Sequence, residues 1–157
     1  MEKITISNEK SEELIIGFKK MKNVGLGFII LGIIGVIPVI SIILGAFGDF
    51  GNNMNPAYYP PFTAGFVAIG IIFMGQAENA TKKIKNNDFQ VYKTKCMRKK
   101  FFNEYAVVEN NEILSGKVSK PIKSITIIGS HKSINDGDEI GILHVDKKTF
   151  YAFSLGS

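Results

Sequence analysis

Apolar and polar positions divide this chain into three stretches. Residues 23 to 48 carry no charged side chain, residues 50 to 77 carry none either, and Asp49 alone separates them. Beyond residue 86 the pattern shortens, and apolar and polar positions alternate in runs broken by Asn, Asp, Gly and Pro. Before residue 23, Leu14, Ile15, Phe18 and Met21 recur at helical spacing among lysines.

The long runs predict a transmembrane helical hairpin over residues 23–85, with spans at about 23–45 and 61–80. A helix from Asn23 to Gly45 is about 34 Å long, more than the ~30 Å hydrocarbon core of a bilayer. The second run is apolar mainly from Pro61 and reaches spanning length if its helix continues to about Ala80. In hydrocarbon every backbone N–H and C=O must be bonded within its own segment, so helix is the expected form. A signal peptide fits poorly, because four acidic residues precede the first run and a second run follows. A soluble core with two such runs in 157 residues fits poorly as well.

Lysine placement orients the hairpin. Lys3, Lys10, Lys19, Lys20 and Lys22 precede the first run, and Lys82, Lys83 and Lys85 follow the second. The connection GDFGNNMNPAYYPP has no Lys or Arg. Both termini are therefore expected in the cytoplasm, in a multi-pass protein of the bacterial inner (cell) membrane. Phe47, Phe50, Tyr58, Tyr59 and Phe62 around the connection suit an aromatic belt. Asn79-Ala80-Thr81 matches a glycosylation sequon but would face the cytoplasm, so it reads as chance.

Helices in lipid associate through close packing of small residues. Gly25, Gly32 and Gly35, continued by Ser41, Gly45 and Gly48, lie near one face of the first helix, and Ala64, Ala68 and Gly75 share a face of the second. These faces are expected to meet, within the hairpin or between copies. Pro38 is expected to bend the first helix. Neither span contains an ionisable residue, which disfavours a pump or ion pathway.

Residues 1–22 form a separate N-terminal arm in this reading. KITIS is a possible short strand, and a helix starts at about Ser11, which can cap it. Its apolar stripe fits an interfacial helix on the inner leaflet or packing on the cytoplasmic domain. The C-terminal segment, residues 86–157, predicts a small all-β domain of about six short strands. Asn86-Asn87 ends the preceding helix, and Asn110-Asn111, Asn135-Asp136-Gly137-Asp138 and Asp146-Lys147-Lys148 mark turns. EILSGKV is read as one of the strands. So few short strands favour a closed or half-open barrel of SH3 or OB type, with a pleckstrin-homology-like sheet as the alternative. The chain as a whole is thus expected to be an α+β membrane protein.

A helical hairpin feeding a small barrel, with Gly137-Asp138 leading into the strand EIGILHV, resembles the NfeD-like bacterial membrane proteins and other small two-span families. The resemblance covers the architecture of residues 24–157 and implies no functional residue.

Composition adds a net charge of +5 and a mean hydropathy of +0.13, the average of two apolar runs and a Lys-rich remainder. Abundant Ile, Lys and Asn without Trp fit an AT-rich bacterial genome. Cys96 is the only cysteine, which excludes an intramolecular disulfide and fits a reducing compartment. His131, His144 and Cys96 lack the local pairing of zinc ligands, and Asp136, Asp138 and Glu139 do not follow a calcium-loop order. No cofactor, metal site or catalytic set is expected. The remaining candidate is a basic patch of Lys93, Lys95, Arg98, Lys99 and Lys100. It reads as a solvated strand, a contact for headgroups or protein, or, less favourably, a nucleic-acid surface without clear stacking aromatics. The function this predicts is non-enzymatic: the hairpin anchors a cytoplasmic β-module that binds a partner protein or the membrane surface, in contact with the lipid bilayer and capable of self-association through its helix faces. The alternatives are an immunity or stress protein acting through intramembrane helix contacts, and a regulatory subunit of a membrane enzyme complex.

Overall fold

The computed structural model describes residues 1–43, 59–100, 104–109, 112–115, 122–129, 134–146 and 149–156. The element order is β1 (Glu2–Ile4), α1 (Asn8–Ile43), α2 (Tyr59–Lys85), β2 (Gln90–Lys95), β3 (Arg98–Lys100), β4 (Tyr105–Glu109), α3 (Glu112–Ser115), β5 (Ile122–Ile127), β6 (Glu139–Asp146) and β7 (Thr149–Ser154). Most of the connection between the long helices lies outside the described residues, with Phe47, Phe50 and Tyr58. So do Ser41's side chain, Gly45, Gly48, Asn110-Asn111, His131 and Lys147-Lys148.

The protein is α+β and divides into two compact units: Met1–Phe18 with Ala80–Ser157, and Lys19–Asn79. The boundaries fall inside α1 and α2. The first eighteen residues, expected as a separate arm, thus belong with the C-terminal strands.

Local chemistry explains the helix ends. Ser7, not Ser11, caps α1: its Oγ accepts the Lys10 N–H at 3.2 Å, while the Ser11 hydroxyl donates back to the Ser7 carbonyl. α1 then runs without interruption through Pro38 to Ile43. At the end of α2, Asn87 adopts a left-handed φ of 53°. The Asn87 N–H bonds the Ile84 carbonyl and the Asp88 N–H bonds the Lys83 carbonyl, satisfying acceptors that the helix leaves open. A Lys83–Asp88 ion pair of 2.8 Å clasps the same turn.

The strands form one seven-stranded sheet in the order β1-β2-β6-β7-β5-β4-β3. All neighbours are antiparallel except β5 and β7. Of the expected closed or half-open barrel, the closed form is excluded: among the described residues the sheet has β1 and β3 as its edges. Both edges are three residues long and charged, which blunts them without closure. EILS, expected as a strand, is instead the helical turn α3, with Leu114 buried and Ile113 exposed.

The sheet is nevertheless strongly curled. Only Cys96 and Met97 separate β2 from β3, a path of at most about 10 Å. In a flat sheet five strand spacings, about 24 Å, would separate the second strand from the seventh. Curling brings them together, and the turn 135–138 stitches the corner. The Cys96 N–H donates to the Asp138 carbonyl at 2.9 Å, the Gly137 N–H to the Cys96 carbonyl at 2.7 Å, and the Lys99 N–H to Asp136 Oδ1 at 3.0 Å. Gly137 sits at φ +92°, a conformation that side-chain-bearing residues rarely adopt.

Register assigns the two faces. One carries Ala106, Val108, Ile125, Ile127, Ile140, Ile142, Phe150 and Ala152, which form the main core with Cys96, Leu114 and Ile134. The other carries Val91, Gly141, Leu143, Tyr151 and Phe153. Against this second face α1 brings Phe18, whose ring meets Tyr151 edge-on at 4.8 Å. Leu14 and Phe18 are fully buried. The apolar stripe of the arm therefore packs on the sheet and is not free to lie on a leaflet. Gly141 is opposite Phe153, and any Cβ there would fall 2.3 Å from the Phe153 ring.

Candidate functional site

In the helical unit α1 and α2 pack antiparallel through a seam in which backbone touches backbone. A Cβ on Gly70 would lie 2.5 Å from the Gly25 carbonyl oxygen, and one on Gly25 would lie 2.8 Å from that of Gly70. Gly32 is seated against Thr63 and Val67, and Gly35 against the Thr63 methyl. Phe28 stacks on Phe66 and Phe73 at centroid distances of 5.8 and 6.1 Å. Lys22 and Glu78 form an ion pair of 2.5 Å beside the ends of the charge-free runs. The contacting residues recur every three or four positions: 25, 28, 32 and 35 on α1, and 63, 66, 70 and 73, flanked by 67 and 74, on α2. This is the period of left-handed helix pairs.

Gly25, Gly32 and Gly35 thus lie in the interface. Ala64, Ala68 and Gly75, expected to meet that face within the hairpin or between copies, are all exposed in this pair, and a Cβ on Gly75 would meet nothing within 4 Å. Within this pair the α2 seam uses Thr63, Val67, Gly70, Phe73 and Met74. Residue size does not mark the α2 face of this pair, because Val67 and Met74 fit where α1 supplies glycine. Ala64 and Ala68 line a shallow apolar groove of about 360 Å³ with Gly32, Ile33, Val36, Thr63, Val67 and Ile71.

Away from the seam the helix surface is apolar. Leu31, Ile33, Ile37, Ile71 and Ile72 are each more than half exposed. α1 is long and apolar enough to cross a membrane over Asn8–Ile37, and its apolar window is only 11% buried, unlike the core helix of a soluble protein. It is the one such helix among the described residues. The expected second span, about residues 61–80, does not reach the same standard over the described residues of α2. Its continuous apolar stretch ends at Met74 and gives way to Gly75, Gln76, Glu78 and Asn79.

The basic candidates are split between β2 and the edge strand β3. Lys93 and Lys95 lie on the face of Gly141 and Glu139, and Glu2 of β1 stands opposite Lys93. Lys93 bonds Glu139 at 2.7 Å. That hydrogen bond, with the charges of Glu139 and Glu2, holds the Lys93 ammonium above its ordinary range. Lys95, Arg98 and Lys100 enter no ion pair among the described residues. Lys99 is tied through its backbone to Asp136. Lys93 and Lys95 therefore stand beside Glu2 and Glu139, Lys99 is held at Asp136, and Arg98, Lys99 and Lys100 give the edge strand β3 a charged surface of the kind that discourages pairing with another strand.

The nucleophile and ligand candidates are embedded in packing. Cys96 is fully buried at the corner; burial, aided by Asp136, pushes its thiol up and keeps it protonated and inert. His144 stacks on Phe150 at 4.5 Å and lies beside Tyr92. Lys123 sits over the same Phe150 ring and donates to the Leu114 carbonyl; burial lowers its pKa. Two buried polar atoms, His144 Nε2 and the Tyr151 hydroxyl, have no hydrogen-bond partner among the described residues. Sequence reasoning gave no signal for Tyr151, which alternation alone places as an ordinary inward residue. No three of His, Cys, Asp and Glu come together as a metal site among the described residues. Compared with protein-family models, curated proteins and solved structures, the chain matches none.

Proposed function

We propose that this chain is a non-enzymatic integral membrane protein whose two long helices insert as a hairpin and anchor a small β-module that binds a partner protein. The observation that carries this reading is the distribution of exposed apolar side chains. Of the sixteen large hydrophobic residues exposed among those described, twelve lie on the helices between Val24 and Ile72. Water does not tolerate a continuous apolar surface of that extent, whereas lipid satisfies it. The charge-free part of α2, Tyr59 to Ala77, would measure about 28 Å as helix, close to bilayer thickness. The Gly25–Gly70 contact is the kind of close approach by which helices associate in lipid. Lysines at 19, 20 and 22 and at 82, 83 and 85 favour an orientation with both termini in the cytoplasm of a bacterial cell.

For the β-module the finer reading is a half-open OB-type barrel. With β2 and β3 counted as one strand bent at Cys96-Met97, the five strands run in the ring order β2/β3, β4, β5, β7, β6 and back. A partly open five-stranded Greek-key ring is the OB architecture, and it fits the NfeD-like plan that the sequence resembles. A protein partner is favoured over the membrane surface for two reasons. The arm's apolar stripe is spent on the sheet, and Glu139 and Glu2 offset the charge of Lys93.

Alkaline carbonate washing and protease protection test the anchor. The full-length protein with a C-terminal tag should stay in the carbonate pellet, and its tag should be digested in inverted vesicles but not in intact spheroplasts. Release by carbonate, or digestion in spheroplasts, overturns the reading. Cross-linking in cells before detergent extraction tests the module. A protein partner should be captured whose yield falls when surface residues of β2 and β3 are changed, and equal capture by the altered chain would count against binding there.

A further inference from the structure

We draw no further inference here: the strongest candidate, the shallow apolar groove on the helix pair lined by Gly32, Ile33, Ala64 and Ala68, is an unpartnered face, and nothing in the structure shows what covers it.

Discussion

Replacing Tyr151 with Phe should stabilise the sheet unit. Tyr151 is 3% exposed, and its hydroxyl has no partner among the described residues. A buried polar group without a hydrogen bond costs about 1–3 kcal/mol relative to its solvated state. Phe removes that cost and keeps the ring, so the edge-on contact with Phe18 survives. Each kcal/mol shifts the melting temperature of a domain this size by roughly 4–8 °C. Tyr151→Phe should therefore raise Tm by several degrees, read by near-ultraviolet circular dichroism of the full-length protein in detergent.

The same residue carries a pH signature. Burial, and secondarily the charge of Asp146, pushes the Tyr151 phenol up from 10.0 to about 12. Between those values the unfolded chain has released the proton and the folded protein still holds it. Stability contributed by the neutral phenol is thus complete below about pH 10 and is lost as pH rises toward about 12. A shift of this size corresponds to roughly 2–3 kcal/mol. Wild type should lose that much more stability than Tyr151→Phe across the window, and lysine titration, common to both, cancels in the comparison. A lower Tm for Tyr151→Phe at neutral pH, or parallel alkaline limbs, would refute the orphan hydroxyl.

Three further outcomes follow from close contacts and caps. Gly70→Leu should split the helix pair, because even a Cβ there meets the Gly25 carbonyl at 2.5 Å, whereas Gly75→Ala should be neutral or slightly stabilising; disulfide trapping between cysteines placed at positions 22 and 78 distinguishes them, with loss of trapping expected only for Gly70→Leu. Gly141→Ala should cost about 1–3 kcal/mol by overpacking against the Phe153 ring, and Phe153→Leu in the same chain should restore part of it in a thermal melt. Ser7→Ala should cost about 0.5–2 kcal/mol through loss of the α1 cap, seen as faster amide exchange over the first helical turn.

Charge and period made the large elements legible. The two charge-free runs gave the long helices, Asn86-Asn87 gave the stop of α2, and Asn135–Asp138 gave the turn before β6. In each case a local rule of charge or backbone chemistry decides the outcome. What stayed hidden depends on partners distant in sequence. Val67 and Met74 enter the helix seam because α1 offers glycine opposite, which no property of α2 reveals. The basic run reads as one patch, but the Cys96-Met97 corner divides it between an acid-paired strand and a sheet edge. EILS forms a turn because Leu114 reaches the core while Ile113 does not, although both are equally apolar in the sequence.

The pairing of β1 with β2 was the least visible feature and has the widest consequence. Glu2, Lys3 and Ile4 align with Lys93, Tyr92 and Val91, about ninety residues away. The same N-terminal stretch supplies Leu14 and Phe18, both fully buried in the sheet unit. Complete burial of a Leu or Phe side chain contributes about 1.5–3 kcal/mol, so these two residues alone account for roughly 3–6 kcal/mol. The net stability of a domain is only about 5–15 kcal/mol. A fragment of residues 86–157 would lose this burial, lose Ala80 and Ile84 as well, and expose Tyr151, Phe153 and the long free edge of β2. It should therefore be unfolded or aggregated, with no near-ultraviolet circular dichroism and no dispersed amide spectrum. Residues 1–18 joined by a flexible linker to residues 80–157 should recover both signals. A folded, monomeric 86–157 fragment would show that the strands hold together without the helix that continues into the helical unit, and α1 would then serve as tether rather than as part of the core.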